Sequence, residues 1–126
     1  MVKEIIESNK VSSSLIFSQG IKVGKLVFTS GQIGVNVLAG TLSNVTFEDE
    51  VKQALENISS ILQEANLCLE DVIKVTVFIT DMNLFDRLNK VYLTFFPNKK
   101  PARSAVEVSK LAKGARVEIE AIAFRD

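Results

Sequence analysis

The chain has no histidine, no tryptophan and a single cysteine, Cys68, among its 126 residues. Without an imidazole, Ser-His-Asp and Cys-His catalysis are excluded. A zinc site is not expected either, because one thiol cannot replace the ligand set that zinc prefers. No glycine-rich phosphate loop of the Walker or dinucleotide type is present. A lone cysteine cannot close an intramolecular disulfide, so the chain is compatible with a reducing compartment.

The chain also lacks an excess of either charge, since Lys+Arg and Asp+Glu both number 15. A net charge of zero gives no electrostatic footprint for nucleic acid or for an anionic membrane. The best candidate for a local basic patch is residues 98–100 beside Arg103. No apolar run approaches membrane-spanning length, and the amino terminus lacks the apolar segment of a secretory signal. We therefore expect a cytoplasmic protein that binds neither membrane nor nucleic acid.

The hydrophobic pattern predicts one domain, residues 1–126, of the α+β class. Six strands are expected, at residues 3–7, 17–21, 26–30, 72–80, 101–108 and 116–124. Gly24 supplies a tight turn between the second and third strands. Residues 32–45 contain glycines and few charges, and we expect a surface loop there.

Two amphipathic helices are predicted, at residues 46–66 and from a cap at Asp81 or Asn83 to Pro97. Thr46 and Asp49 resemble a capping box. The order strands, helix, strand, helix, strands predicts a mixed sheet with both helices on one face.

The strand at 72–80 is apolar on both sides, which is typical of a central strand covered on both faces. The alternation predicts that Ile73, Val75, Val77 and Ile79 point one way and that Val72, Thr76 and Phe78 point the other. Because both helices are expected on one face, self-association is the simplest source of the second cover.

Arg103 and the pair Glu118 and Glu120 are the candidates for chemistry. A guanidinium at a strand start can hold a carboxylate by two parallel hydrogen bonds, but it can also be a surface arginine in a weak ion pair. Glu118 and Glu120 share a face with Ile122 and Phe124, where carboxylates are costly unless paired or at a cavity. They form either a salt-bridged subunit seam or a general acid/base of raised pKa that positions water. The residues alone leave both alternatives open.

Five blocks of sequence carry a resemblance to a known family. In chain order they are Phe28-Thr29-Ser30-Gly31-Gln32-Ile33, Val75-Thr76-Val77-Phe78-Ile79-Thr80-Asp81, Asn89-Lys90-Val91-Tyr92, Pro101-Ala102-Arg103-Ser104 and Val117-Glu118-Ile119-Glu120-Ala121. They resemble the Rid family of reactive intermediate deaminases, also called YjgF-like. The resemblance implies a chorismate-mutase-like fold and a homotrimer with clefts between subunits. It also implies hydrolysis of 2-iminobutanoate and 2-iminopropanoate to 2-keto acids and ammonia, with no cofactor and no metal.

The resemblance further implies roles for individual residues. Arg103 would bind the substrate carboxylate, Glu118 would orient or activate the water, and the backbone of Ala105 would face the imine. The other positions that match the lining of the family's cleft are Phe17, Ser30, Gly31 and Asn89.

Two positions depart from the family pattern, because Phe17 replaces the usual tyrosine and Ala105 the usual cysteine. Both bear on substrate preference and rate, while Arg103 and Glu118 are kept. Two alternatives to a deaminase remain. One is a regulatory trimer that binds small carboxylates without turnover. The other is the endoribonuclease or translation-inhibitor activity attached to some relatives, which the zero net charge and the lack of an aromatic-basic stripe disfavour.

Overall fold

The computed structural model describes residues 2–126 and contains a seven-stranded mixed sheet with two helices on one face. The strands are β1 (Lys3–Ile6), β2 (Gly20–Val23), β3 (Leu26–Thr29), β4 (Gln32–Ile33), β5 (Val35–Asn36), β6 (Thr41–Leu42), β7 (Val72–Ile79), β8 (Ala102–Glu107) and β9 (Val117–Phe124). The sheet order is β1-β2-β3-β9-β7-β8, β4 also pairs with β9, and β5 and β6 form a separate ribbon. β7 and β8 are parallel, and the other pairs are antiparallel. The predicted α+β class and mixed sheet are confirmed.

The two helices are α1 (Phe47–Glu64) and α2 (Phe85–Phe95). Thr46 begins α1 with the predicted capping box, since its Oγ1 accepts from the N–H of Asp49 and its own N–H donates to Asp49 Oδ2. Asp81, not Asn83, is the second cap, and it opens a short 3₁₀ turn that leads into α2. In the described part of the chain, no helix has the length and apolar character needed to cross a bilayer.

The second predicted strand lies three residues later than expected, at Gly20–Val23. Gly24 does supply the predicted turn, with a φ of +59°. The strand begins late because Gln19 is buried and turns its side chain to the preceding loop. There it hydrogen-bonds the N–H and C=O of Ser8 and the C=O of Val11. Hydrogen bonds from a polar side chain to loop backbone groups produce no hydrophobic alternation, so the start of this strand could not be predicted from the sequence.

The prediction of a plain loop at residues 32–45 is wrong, because three short strands lie there. Gln32 and Ile33 pair with β9, and Ile33 lies opposite Glu118. The buried amide of Asn57 on α1 donates to the carbonyl groups of Ile33 and Val35 at 3.3 and 3.0 Å. Strands of two residues are too short to show alternation, so their pairing and the contact with Asn57 define them instead of a local pattern.

β7 is the predicted central strand, since β9 and β8 flank it. Val75 and Val77 point to the helices as expected, but Ile73 is 48% exposed and Val72 is buried instead. A register shift between Val72 and Lys74 opposite β9 inserts an extra residue and reverses the alternation at this end of the strand. The assignments of Ile73 and Val72 to their faces were therefore wrong.

The core lies between the helices and one face of the sheet, whereas the other face is open. Large apolar side chains remain exposed on the chain's surface, among them Phe28, Val106 and Phe124. On β9, the residues that point away from the core include Glu118, Glu120 and Phe124. The predicted one-sided placement of the helices is thus confirmed, and the open face carries both carboxylates.

Glu50 on α1 is a buried carboxylate that joins the helix to the start of β9. Its side chain accepts hydrogen bonds from the backbone N–H of Arg116 and, at 2.9 Å, from Arg116 Nε. The guanidinium carbon of Arg116 also lies 5.5 Å from the ring centroid of Phe47. Gly34 packs so closely on the carbonyl oxygen of Glu50 that a Cβ would clash with it. Glu50 therefore fixes the end of the sheet where Glu118 lies.

We expect Glu50→Ala to lower the free energy of unfolding by about 2 kcal/mol, because it leaves partly buried donors of Arg116 without an acceptor. The measurement is urea denaturation followed by circular dichroism. Glu56→Ala is the control on the same helix, since Glu56 makes only an exposed 3.9 Å pair with Lys52. It should cost less than about 1 kcal/mol. Equal losses in the two variants would contradict the role assigned to Glu50.

Candidate active site

Glu118 lies in a crevice of about 360 Å³ at the end of the sheet. Phe17, Gly31, Ile33 and Lys113 are among the residues that line it. A Cβ on Gly31 would lie 2.6 Å from Oε2 of Glu118, so the absent side chain is what gives this carboxylate its space. The predicted site residues Phe17, Gly31 and Glu118 are therefore brought together.

The pKa of Glu118 is raised above its ordinary value, chiefly by burial and further by the charge of Glu120 two residues along the same face. Arg116, two residues before Glu118 in the sequence, forms its ion pair with Glu50. Within residues 2–126, neither Glu118 nor Glu120 forms an ion pair. A half-buried carboxyl group with a raised pKa has the properties of a general acid/base.

Arg103 is held on the opposite side of the sheet by side chains of α2. Its Nη1 donates to Oδ1 of Asn89 at 2.8 Å, and its guanidinium carbon lies 4.7 and 5.4 Å from the ring centroids of Tyr92 and Phe85. A guanidinium has five N–H donors, so this arrangement orients the group and leaves donors for a ligand. Ala105, two residues further along β8, packs against the same core.

The contacts of Phe85 and Tyr92 with Arg103 were not predicted from the sequence. The signal was present, because Phe85, Asn89 and Tyr92 are spaced i, i+4 and i+7 and so lie on one helix face. The hydroxyl group of Tyr92 is buried without a hydrogen-bond partner in the described structure. Burial raises the pKa of this phenol, while the positive charge of Arg103 lowers it.

Ser30 stands beside the Glu118 crevice, but its hydroxyl group is engaged elsewhere. Its Oγ donates to the carbonyl group of Ser18, and its N–H donates to the carbonyl group of Gln19 at 2.8 Å. These bonds fix the backbone that leads into Gly31. Ser30 is thus not among the residues that line the crevice, and it acts there only through the position of Gly31.

Arg103 and Glu118 do not share a crevice within one chain. Arg103 lies opposite Val75 of β7, and Glu118 lies opposite Phe78 of the same strand. The two backbones are therefore on either side of β7 and three residues apart along it, which corresponds to about 14 Å. Their side chains leave the sheet on opposite faces. In one chain the candidate residues therefore fall into two separate groups, which we call half-sites: one contains Arg103, Asn89 and Ala105, and the other contains Glu118, Phe17 and Gly31.

Comparison with known proteins identifies what the chain is similar to. The profile of the family called Endoribonuclease L-PSP matches residues 7–125. A RutC family protein of Pyrococcus abyssi is 42% identical, with all of both chains covered. The 2-iminobutanoate/2-iminopropanoate deaminase of Mus musculus is 38% identical over 99% of this chain and 93% of its own length. The crystal structure of E. coli TdcF with bound serine has a TM-score of 0.93 at 41% identity and covers 98% of this chain and 99% of TdcF.

We expect the raised pKa of Glu118 to appear in the pH dependence of stability. A carboxyl group whose pKa is raised by folding binds more protons in the folded state. Between its ordinary pKa of 4.5 and the raised value, the free energy of unfolding therefore falls as pH rises. Glu118→Gln removes this titration, so the variant should gain stability relative to the original chain from acid to neutral pH. Denaturation at a series of pH values measures this gain, and a difference that does not change with pH would contradict it.

Proposed function

The chain belongs to the Rid family, which the Endoribonuclease L-PSP profile describes, and we propose that it hydrolyses short 2-imino acids to 2-keto acids and ammonia. The observation that carries this proposal is the pair of half-sites. One presents an oriented guanidinium, which suits a carboxylate. The other presents a half-buried carboxyl group of raised pKa, which suits the handling of water. The relative named 2-iminobutanoate/2-iminopropanoate deaminase supports these two compounds as the first substrates to test.

Arg103 is the proposed anchor for the substrate carboxylate. Asn89 and the rings of Tyr92 and Phe85 already hold the guanidinium in place. Little side-chain entropy is then lost when two parallel N–H groups bind a carboxylate. The backbone of Ala105 follows on the same strand, where it would face the imine. Its methyl side chain, like the ring of Phe17, offers a short aliphatic side chain an apolar contact.

Glu118 is the proposed acid/base. As a carboxylate it accepts a proton from water while the water oxygen forms a bond to C2, and it returns this proton to nitrogen as the C=N electron pair moves there. The carbinolamine that results loses ammonia when Glu118 accepts the hydroxyl proton, the oxygen electron pair forms the C=O bond, and nitrogen leaves with the proton that Glu118 returns. A raised pKa brings the carboxyl group closer to the operating pH and so favours both transfers. Imines hydrolyse readily, so positioning supplies much of the required acceleration.

A complete site requires a second copy of the chain, because one chain separates Arg103 from Glu118. We place the site between neighbouring subunits of a homotrimer, where the open sheet face of one copy meets the β8–α2 edge of the next. The two surfaces differ, so the contact is heterologous, and repeating it closes a ring. The exposed Phe28, Val106 and Phe124 support such a cover for the open face.

We expect Arg103→Ala to reduce kcat/KM about 30-fold or more, because it removes the charged partner of the substrate carboxylate. The assay follows the loss of 2-iminobutanoate that a threonine dehydratase generates in situ. Arg87→Ala is the matched control, since Arg87 pairs with Glu48 at 2.7 Å on the exposed side of α2. Unchanged activity in folded Arg103→Ala protein would eliminate the proposed anchor. Binding of 2-ketobutyrate by the original chain without turnover would favour a regulatory role instead.

A mixing experiment tests whether two chains share each site. Arg103→Ala and Glu118→Gln chains are each expected to lose most of their activity, but refolding them together in equal amounts should restore about a quarter of the original activity. In a head-to-tail ring, about one interface in four would combine an intact Arg103 with an intact Glu118 from the neighbouring copy. The control is a mixture of the same proteins without refolding. No recovery after demonstrated subunit exchange would overturn the shared site.

A further inference from the structure

The crevice around Glu118 has a polar rim that the proposed reaction does not use. Ser12, Ser13, Ser14 and Lys113 are among the residues that line it. We call the three serine residues the serine arch. Phe17, Ile33 and Val35 supply the apolar part of the lining. The crevice therefore combines apolar surface with several hydrogen-bonding groups.

The serine arch is held in place by a buried side chain. Gln19 is only 1% exposed, and its Nε2 donates to the carbonyl groups of Val11 at 3.1 Å and Ser12 at 3.3 Å. Its Oε1 accepts from the N–H of Ser8 at 2.7 Å. A loop whose backbone is tied at several points can present its hydroxyl groups at defined positions, with less entropy lost on binding.

The hydroxyl groups of the arch are free to act as donors. Oγ of Ser14 accepts from the N–H of Ile16 at 3.0 Å, so its hydrogen atom remains available. Among the contacts of residues 2–126, the hydroxyl groups of Ser12 and Ser13 have no hydrogen-bond partner in the protein. The arch therefore offers donors and acceptors to whatever enters the crevice.

We propose that the serine arch selects 2-imino acids whose side chain ends in a neutral hydrogen-bonding group, such as a hydroxyl or an amide, over aliphatic imino acids of the same size. This inference rests on the proposed function, because it names the side-chain preference of that same site. The apolar lining takes the methylene groups of the substrate, and the arch takes its polar end.

The preference for a polar side chain follows from the serine hydroxyl groups, which an aliphatic substrate would leave without hydrogen-bond partners. A substrate hydroxyl group exchanges its hydrogen bonds to water for bonds to the serine residues. A methyl group at the same position displaces the water that hydrogen-bonds the serine residues and forms no hydrogen bond in its place. A site built to bind a hydroxyl group rejects the analogue that lacks one more strongly than an apolar pocket rejects an added hydroxyl. An acidic side chain fits less well, because it would enter a crevice that already holds Glu118.

The test compares two imines that differ only in a terminal hydroxyl or methyl group. An amino acid oxidase generates them in situ, from homoserine and from norvaline, and their disappearance is followed with and without the protein. We expect kcat/KM to be about tenfold higher for the hydroxylated imine, the effect of one net hydrogen bond. Combined Ser12→Ala, Ser13→Ala and Ser14→Ala substitution should bring the ratio close to one. Ser59→Ala, in a different crevice beside Phe95, should leave the ratio unchanged.

A ratio that is near one in the original chain, or that persists in the triple variant, would overturn the inference. If the triple variant does not fold, Ser13→Ala alone replaces it, because Ser13 is exposed. If neither imine disappears faster with the protein, the proposed function fails, and calorimetry with the two corresponding 2-keto acids decides the inference separately. Preferential binding of 2-keto-4-hydroxybutanoate that the triple variant loses would support the arch. Equal or absent binding of the two keto acids would overturn it.

Discussion

The alternation of side chains across β7, β8 and β9 is the constraint on which the arrangement of the candidate residues depends. Successive residues of a strand point to opposite faces of the sheet. Because Arg103 pairs with Val75, its guanidinium lies on the helix side. Because Glu118 pairs with Phe78, its carboxylate lies on the open side. Helices cover one face only, so the two groups meet different surroundings. The separation is a property of the sheet, and no change of rotamer removes it.

Each half-site uses its surroundings in a different way. Aromatic rings and an amide of α2 orient Arg103 without neutralising it, so the charge stays available. Glu118 instead loses solvent and faces the charge of Glu120, and both effects favour its protonated form. Holding Glu118 partly buried near Glu120 costs stability, so other interactions of the fold must keep this part of β9 in place. Glu50 meets this need, because it ties the start of β9 to a helix that the core holds fast.

The features that the sequence predicted correctly are those with a local cause. Thr46 and Asp49 lie three residues apart, and their capping box needs nothing else from the fold. Gly24 makes its turn for the same reason. The misplaced features depend on distant partners: Gln19 on the loop at Ser8, and β4 on the amide of Asn57.

The candidate site divides in the same way. The resemblance of the sequence to a family selected Arg103, Asn89, Glu118 and Gly31, and the structure groups them into two half-sites. Local pattern could not show that β7 lies between these half-sites, because that is a matter of strand order. It also could not show that the serine arch lines the same crevice as Glu118, because this depends on the hydrogen bonds of the buried Gln19 to the loop and on the position of β9.

In the proposed trimer, the division into half-sites would link assembly to chemistry. In an isolated chain, the open face exposes Glu118 together with aromatic and aliphatic side chains. A partner that removes this apolar surface from water also desolvates the carboxyl group. Further burial raises the pKa of a carboxyl group, and a nearby guanidinium lowers it. A neighbour that supplies Arg103 would bring both effects at once, so the proton affinity of Glu118 would respond to the arrival of the neighbouring copy. In that arrangement the contact that buries the apolar face would also bring the positive charge of Arg103 to the carboxyl group of Glu118. One surface would then serve both subunit assembly and the reaction.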